Sequence, residues 1–217
     1  MSRKRVAVLI SGRGSNMAAL IDAAKDKNYP AEIVLVVSNR PDAEGLAVAR
    51  ANEIPTEVID HTTYGKDRAA FEGALQAALE RHRIDIICLA GFMRLLTADF
   101  VTQWHGRLLN IHPALLPAFK GLNTHKRAIE AGVTIHGATV HFVVPEMDSG
   151  PIIVQGAVSV QPGESEDALA ARVIKVEHQI YPLALRLLAE DRVRIENGRC
   201  LVDDKPVPDV SALNQIP

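Results

Sequence analysis

The 217-residue chain predicts an α/β fold, a Rossmann-like doubly wound sheet of mostly parallel strands with an antiparallel C-terminal part. Three observations predict it. Short apolar runs at residues 6–10, 33–37 and 84–89 alternate with segments whose apolar residues recur at helical spacing, the signature of strand–helix–strand units. A glycine-rich turn, Gly12-Arg13-Gly14-Ser15-Asn16, joins the first run to the first helical pattern. Near the end, residues 193–202 turn at Asn197-Gly198, a pair suited to a two-residue hairpin.

The elements follow in order. The run at 6–10 is continuously apolar, as in a strand buried on both faces. Met17, Leu20, Ile21 and Ala24 then mark a helix. The second strand ends in Ser38-Asn39-Arg40, and Pro41 closes its loop. Residues 43–52 read as a helix, 56–59 as a short strand and 60–65 as a loop. A helix is expected over 66–82, with Phe71, Leu75 and Leu79 on one face. Thr97 caps the next helix, with Asp99 in its first turn. Residues 108–112 form a strand that Pro113 ends, since proline has no N–H to donate. Thr124 is read as the cap of a helix ending near Gly132, and 137–144 and 152–160 as strands. Residues 164–188 are helical, with Pro182 expected to kink or break them. The tail after Lys205 reads as irregular. Two lobes are expected, 1–105 around the glycine-rich turn and 106–217 around the strand at 108–112, within one continuous domain.

Composition narrows the function. Lys and Arg total 24 against 26 Asp and Glu, a net charge of -2. Without a basic field, nucleic acid is not an expected partner. The longest apolar runs are strand-sized, so no membrane span is expected, and the run at 6–10 is too short for a signal-peptide core. Cys88 and Cys200 read as reduced packing thiols of a cytoplasmic protein. No paired-Cys or His-Glu-x-x-His spacing occurs, and His136 and His141 lie an odd number apart on a strand, so no metal site is expected.

The glycine turn is an anion site in outline. Glycines permit the tight turn, and the helix N-terminus offers unpaired N–H groups and a positive dipole end. There is no Gly-Lys-Ser/Thr, so it is not a Walker loop, and a third glycine and an acidic residue after the second strand are missing for a dinucleotide. A single phosphate fits better. Asn110 and His112 share a strand face, and Asp148 sits in the turn Pro145-Glu146-Met147-Asp148-Ser149-Gly150-Pro151. Alone, each of these three is also a common structural residue. His125 reads equally as a surface residue, and Arg68 as a solvated arginine at a helix start.

The ordered set is more specific. Ile10-Ser11-Gly12-Arg13-Gly14-Ser15-Asn16, Leu89-Ala90-Gly91-Phe92-Met93-Arg94, Asn110-Ile111-His112-Pro113-Ala114-Leu115-Leu116-Pro117, Gly121-Leu122-Asn123-Thr124-His125, Val140-His141-Phe142-Val143 and Asp148-Ser149-Gly150-Pro151 occur in sequence. Together they resemble the phosphoribosylglycinamide formyltransferases of purine biosynthesis, over nearly the whole chain. The resemblance implies the formyltransferase type of the fold and transfer of a formyl group from 10-formyltetrahydrofolate to glycinamide ribonucleotide. It implies Asn110, His112 and Asp148 as the catalytic trio. Gly14, Ser15 and Asn16 would hold the substrate phosphate and Glu177 the ribose. Arg68, Met93, Arg94, Leu95, Leu96, Asn110, Val144, Pro145, Glu146, Met147 and Asp148 would line the folate site. Ala114 stands where many members have Ser, and Asn123 where some have His.

On this reading Asn110 gives an uncharged donor to the oxyanion, and protonated His112 a charged one. Asp148 orients His112 and favours its imidazolium. The expected partners are the two small substrates, with no metal, and the chain is expected to be a monomer or weak homodimer. The rivals are a formyl-folate hydrolase or another formyl-folate-dependent transferase, which would be expected to carry further domains. A nicotinamide-dependent dehydrogenase and a nonenzymatic nucleotide sensor are more distant alternatives.

Overall fold

The computed structural model describes residues 2–206, which divide into two compact units between Asn110 and Ile111. In the first unit, strands β1 (Lys4–Ile10), β2 (Ala31–Ser38), β3 (Thr56–Val58), β4 (Ile86–Leu89) and the first three residues of β5 (Leu108–His112) follow the order β3-β2-β1-β4-β5. Every pairing among them is parallel. Residues Val6 to Ile10 have no exposed surface, as expected for a parallel strand covered on both faces. Burying each large side chain there contributes about 1.5–3 kcal/mol.

Helices α1 (Ser15–Ala24), α2 (Gly45–Ala51), α3 (Arg68–Arg81) and α4 (Ala98–Gln103) make the connections. Asp67 caps α3 by accepting the Ala70 N–H at 2.9 Å, so Arg68 is its first residue. Phe71, Leu75 and Leu79 form its buried stripe. Thr97 caps α4 as expected, accepting from the Phe100 N–H. The segment expected to be a plain loop at 60–65 instead holds a 3₁₀ turn, His61–Tyr64. Asp60 nucleates it by accepting the Thr62 N–H at 2.9 Å, a side-chain-to-backbone bond that hydropathy does not reveal.

In the second unit, β6 (Ile135–Phe142) and β7 (Ile152–Ser159) pair antiparallel. Helix α6 (Glu166–Ala189) packs on both. Gly156 is the contact point, because a Cβ there would lie 2.2 Å from Val176 Cγ1. Pro182 lies inside α6 without ending it: the helix runs unbroken for 24 residues, held by a stripe that includes the buried Leu169, Val173, Ile180 and Leu185. Helix α5 (Thr124–Glu130) begins one residue earlier than expected for a Thr124 cap. Asn123 occupies the cap in a left-handed conformation, φ 55°, and Thr124 is buried as the first helical residue. Strands β8 (Val193–Glu196) and β9 (Arg199–Val202) form the expected hairpin, with Asn197 and Gly198 both at positive φ. A short third strand, β10 (Lys205–Pro206), pairs with β9 where an irregular tail was expected; the rest of that tail lies outside the described residues.

Candidate active site

In the first unit the strand order reverses between β1 and β4, since β2 lies on one side of β1 and β4 on the other. Loops leaving such a switch point at the strand C-termini diverge and open a crevice. A cavity of about 400 Å³ lies there. It is lined by the whole glycine turn, by Asn39, Arg40 and His61, and by Ala90, Gly91, Met93 and Arg94. Gly14 has φ 72° and stands at the cap of α1, where it has no side chain to cap the helix. A Cβ on Gly14 would come 3.2 Å from Gly45 Cα, so glycine is needed there both for its conformation and for close approach of α2.

Ser11 links the two sides of this cavity. It is buried, its hydroxyl donates to Asn39 Oδ1 at 2.5 Å, and it accepts the Met93 N–H at 2.7 Å. His61 Nδ1 lies 2.8 Å from the Asn39 carbonyl. The side-chain Nδ2 of Asn39 lies 3.1 Å from the same nitrogen. Glu72, buried on α3, accepts from the Thr97 N–H and its hydroxyl, which fixes the far end of the segment. Met93 and Leu95 are therefore held on an anchored backbone with their side chains 69% and 61% exposed. Exposed apolar side chains on a fixed loop suit a flat apolar ligand. Arg68, at the start of α3, is exposed.

The second unit gathers histidines. His112, at the end of β5, is buried, and its Nε2 donates to the Phe119 carbonyl at 3.0 Å. Its Nδ1 faces Asp148 Oδ2 at 3.5 Å. Asp148 sits at φ 49°, in the left-handed region that Asp tolerates better than most residues. The Gly121 N–H donates to its Oδ2 at 2.9 Å, and His141 Nε2 lies 3.9 Å from its Oδ1. Gly150 fixes the turn: a Cβ there would lie 1.7 Å from the Phe142 carbonyl oxygen. Lys120 closes the loop from outside by donating to Ser149 Oγ at 2.5 Å.

The Pro113–Pro117 segment is stapled in place. Thr139 Oγ1 donates to the Ala114 carbonyl at 2.7 Å and accepts the Leu116 N–H at 3.0 Å. Gln155 Nε2 donates to the Leu116 carbonyl at 2.9 Å. The β6–β7 ladder shifts register between Val140 and His141, so simple strand alternation does not carry across it, and His136 and His141 are both buried.

Three histidines around His112 are held neutral. Burial pushes His136 down to about 4, and repulsion from His125 adds to the shift. The nearby Pro113 carbonyl opposes it without reaching hydrogen-bond geometry to either ring nitrogen. Burial also lowers His125 and His141; the Phe142 carbonyl and Asp148 pull His141 the other way. His125 is thus half-buried, its ring edge-on to His136 at 5.3 Å, not a surface residue. Glu177 is buried on α6. Pro145, Glu146 and Met147 are exposed, and Val144 is half-buried. Among the described residues, no group of three His, Cys, Asp or Glu side chains is arranged to hold a metal.

A family model described as formyl transferase matches residues 4–185. The phosphoribosylglycinamide formyltransferase of Haemophilus influenzae is 41% identical over 212 residues, covering 98% of this chain and 100% of its own length. The chain belongs to the phosphoribosylglycinamide formyltransferases. A solved formyltransferase of that name from Coxiella burnetii is similar over 94% of this chain and 96% of its own, with a TM-score of 0.89 and 43% identity. A formyltetrahydrofolate deformylase from Pseudomonas syringae is similar in fold at 26% identity, with this chain covering 66% of its length. The bovine trifunctional purine biosynthetic protein adenosine-3 is 52% identical over 198 residues, and the chain spans only 20% of that relative.

Sequence reading placed Gly14, Ser15, Asn16, Met93 and Arg94 on the residues that line the first-unit cavity. It paired His112 with Asp148, which the structure brings into contact. Asn110 lies two residues before His112 on β5 and is half-buried. Sequence reading missed Ser11, Asn39, His61, Phe119 and Thr139. Ser11 alone left a signal, since it adjoins the glycine turn; the others act through partners distant in sequence.

Proposed function

We propose that this chain transfers the formyl group of 10-formyltetrahydrofolate to the amine of glycinamide ribonucleotide, giving formylglycinamide ribonucleotide and tetrahydrofolate, in purine (IMP) biosynthesis. The buried His112–Asp148 pair carries the reading, in a chain so similar along its length to enzymes named for that reaction. Bound formyl-folate supplies the electrophilic formyl carbon. The exposed Met93, Leu95 and Met147 fit an apolar pterin, and Arg94, Leu96, Val144, Pro145 and Glu146 complete the segments proposed to hold it. Arg68 is assigned to the anionic folate tail.

Gly14, Ser15 and Asn16 hold the ribonucleotide phosphate through main-chain N–H groups at the α1 N-terminus. Glu177 accepts from the ribose hydroxyls. The Asn110 amide donates to the formyl oxygen as it gains negative charge, and protonated His112 supplies a positive charge beside it while its Nε2–H stays on the Phe119 carbonyl. The attacking nitrogen forms its bond to carbon and gives up a proton; the bond from carbon to the folate nitrogen breaks, and that nitrogen gains one. Asp148 and His112 serve the proton transfer. The two buried, free cysteines suit the cytoplasm, where thiols stay reduced. The substrates are small molecules, with neither nucleic acid nor membrane as partner, and the chain acts as a monomer or weak homodimer.

The test is a spectrophotometric assay with a 10-formyl folate analogue, with and without glycinamide ribonucleotide. Release of deformylated folate only with the ribonucleotide is expected. Release without it would replace this reading with a hydrolase, and release in neither case would refute both.

A further inference from the structure

Phe119 is a non-glycine residue at φ 54°, a left-handed conformation that costs an aromatic residue energy and persists only where neighbours enforce it. Two neighbours do so. The Arg127 guanidinium lies 5.6 Å from the Phe119 ring centroid. Its Nη1 donates to the Lys120 carbonyl at 2.6 Å and reaches the Leu122 carbonyl at 3.4 Å, spanning the turn that follows. On another side the buried His136 ring meets the Phe119 ring edge-on, with centroids 5.8 Å apart and planes at 80°. The enforced conformation aims the Phe119 carbonyl at His112 Nε2, 3.0 Å away.

That contact has a chemical consequence. A carbonyl has no proton to give, so Nε2 must carry one in both the neutral and the charged imidazole. The nitrogen that gains or loses a proton is then Nδ1, the one facing Asp148 Oδ2 at 3.5 Å. Without the carbonyl, neutral His112 would place its proton on Nδ1, toward the carboxylate, and leave Nε2 bare. The charged and titratable groups around His112 are Asp148 and Lys120 from the loops, His125 and Arg127 from α5, and His136 and His141 from β6. Burial disfavours the charged form of the three neighbouring histidines, so they contribute ring packing, and Asp148 is the carboxyl group that faces Nδ1.

We propose that Arg127 is a positioning residue: with His136 it clamps Phe119 so that the Phe119 carbonyl holds the proton on His112 Nε2 and leaves Nδ1 as the nitrogen presented to Asp148. This rests on the reading of His112 as catalytic. It also assigns Phe119 a specific duty, carried by its main chain and secured by its ring.

The experiment is two-bond ¹H–¹⁵N NMR of the histidine rings in the full chain across pH, with the His112 signals identified by their loss in His112→Gln. Wild type is expected to show neutral His112 protonated at Nε2. Arg127→Met should populate the Nδ1–H tautomer, lower kcat about tenfold and change the shape of the kcat–pH profile, with both KM values within about twofold. Phe119→Gly tolerates the positive φ and keeps the carbonyl while losing the ring, so it should change tautomer and profile in the same direction even if Arg127→Met fails to fold. An unchanged tautomer and profile in the folded variants would overturn the clamp. Normal turnover by His112→Ala would overturn the clamp and the catalytic reading together. A dead His112→Ala beside an unaltered Arg127→Met would overturn the clamp alone.

Discussion

The two candidate regions are built from different materials. The glycine-turn cavity of the first unit is largely main chain: strand ends, a helix N-terminus and positive φ at Gly14. The histidine region of the second unit is largely side chain, with His112, Asp148, His136 and His141 converging from β5, β6 and a loop. Holding a phosphate needs many modest donors in a fixed geometry, which a backbone supplies. Moving a proton and stabilising a developing charge needs a few groups of defined protonation state, which only packed side chains supply.

That division predicts different losses on each side. Separate Asp148→Asn and His112→Ala substitutions should each lower kcat about 100- to 1,000-fold, since a fixed charged donor is worth roughly 3–4 kcal/mol, while ribonucleotide KM changes little; steady-state kinetics reads both. Gly14→Ala should do the opposite. Its strain at φ 72° and crowding against Gly45 disturb the turn by about 1–3 kcal/mol, raising ribonucleotide KM about tenfold or more with kcat nearly kept.

Acid sharpens the contrast through His136. Its folded pKa of about 4 lies below the 6.5 ordinary for a histidine, so below pH 6.5 the unfolded chain binds the proton more readily. The stability it contributes is therefore present above pH 6.5 and is lost as pH falls from there toward 4. The loss is about 3 kcal/mol. His136→Phe should flatten this part of the urea-midpoint profile; an unchanged acid slope would mean the ring is not held neutral. The smallest effect is local. Thr139→Val keeps the shape but removes an acceptor from the Leu116 N–H and a donor to the Ala114 carbonyl. It should cost about 1–2 kcal/mol, read as a lower thermal midpoint.

The same contrast explains how far the sequence could be read. The parallel strands and the glycine turn were legible because burial on both faces leaves continuous apolar runs and because glycine marks a conformation. The Asn197-Gly198 hairpin was legible for the same local reason. The Thr124 cap was misplaced because Asn123 takes the left-handed conformation that the preceding turn demands. His125 looked solvent-facing because its burial comes from His136, on a different element. Phe119 left no trace at all. Its duty depends on a carbonyl orientation set by Arg127 and His136, which no residue pattern encodes.

The most direct measurement takes Asp148→Asn and determines two quantities on one preparation: the dissociation constant for glycinamide ribonucleotide by calorimetry, and the single-turnover rate of formyl transfer. The division of labour predicts affinity within about twofold of wild type and a rate lower by about 100-fold or more. A normal rate, or affinity and rate falling together, would contradict it.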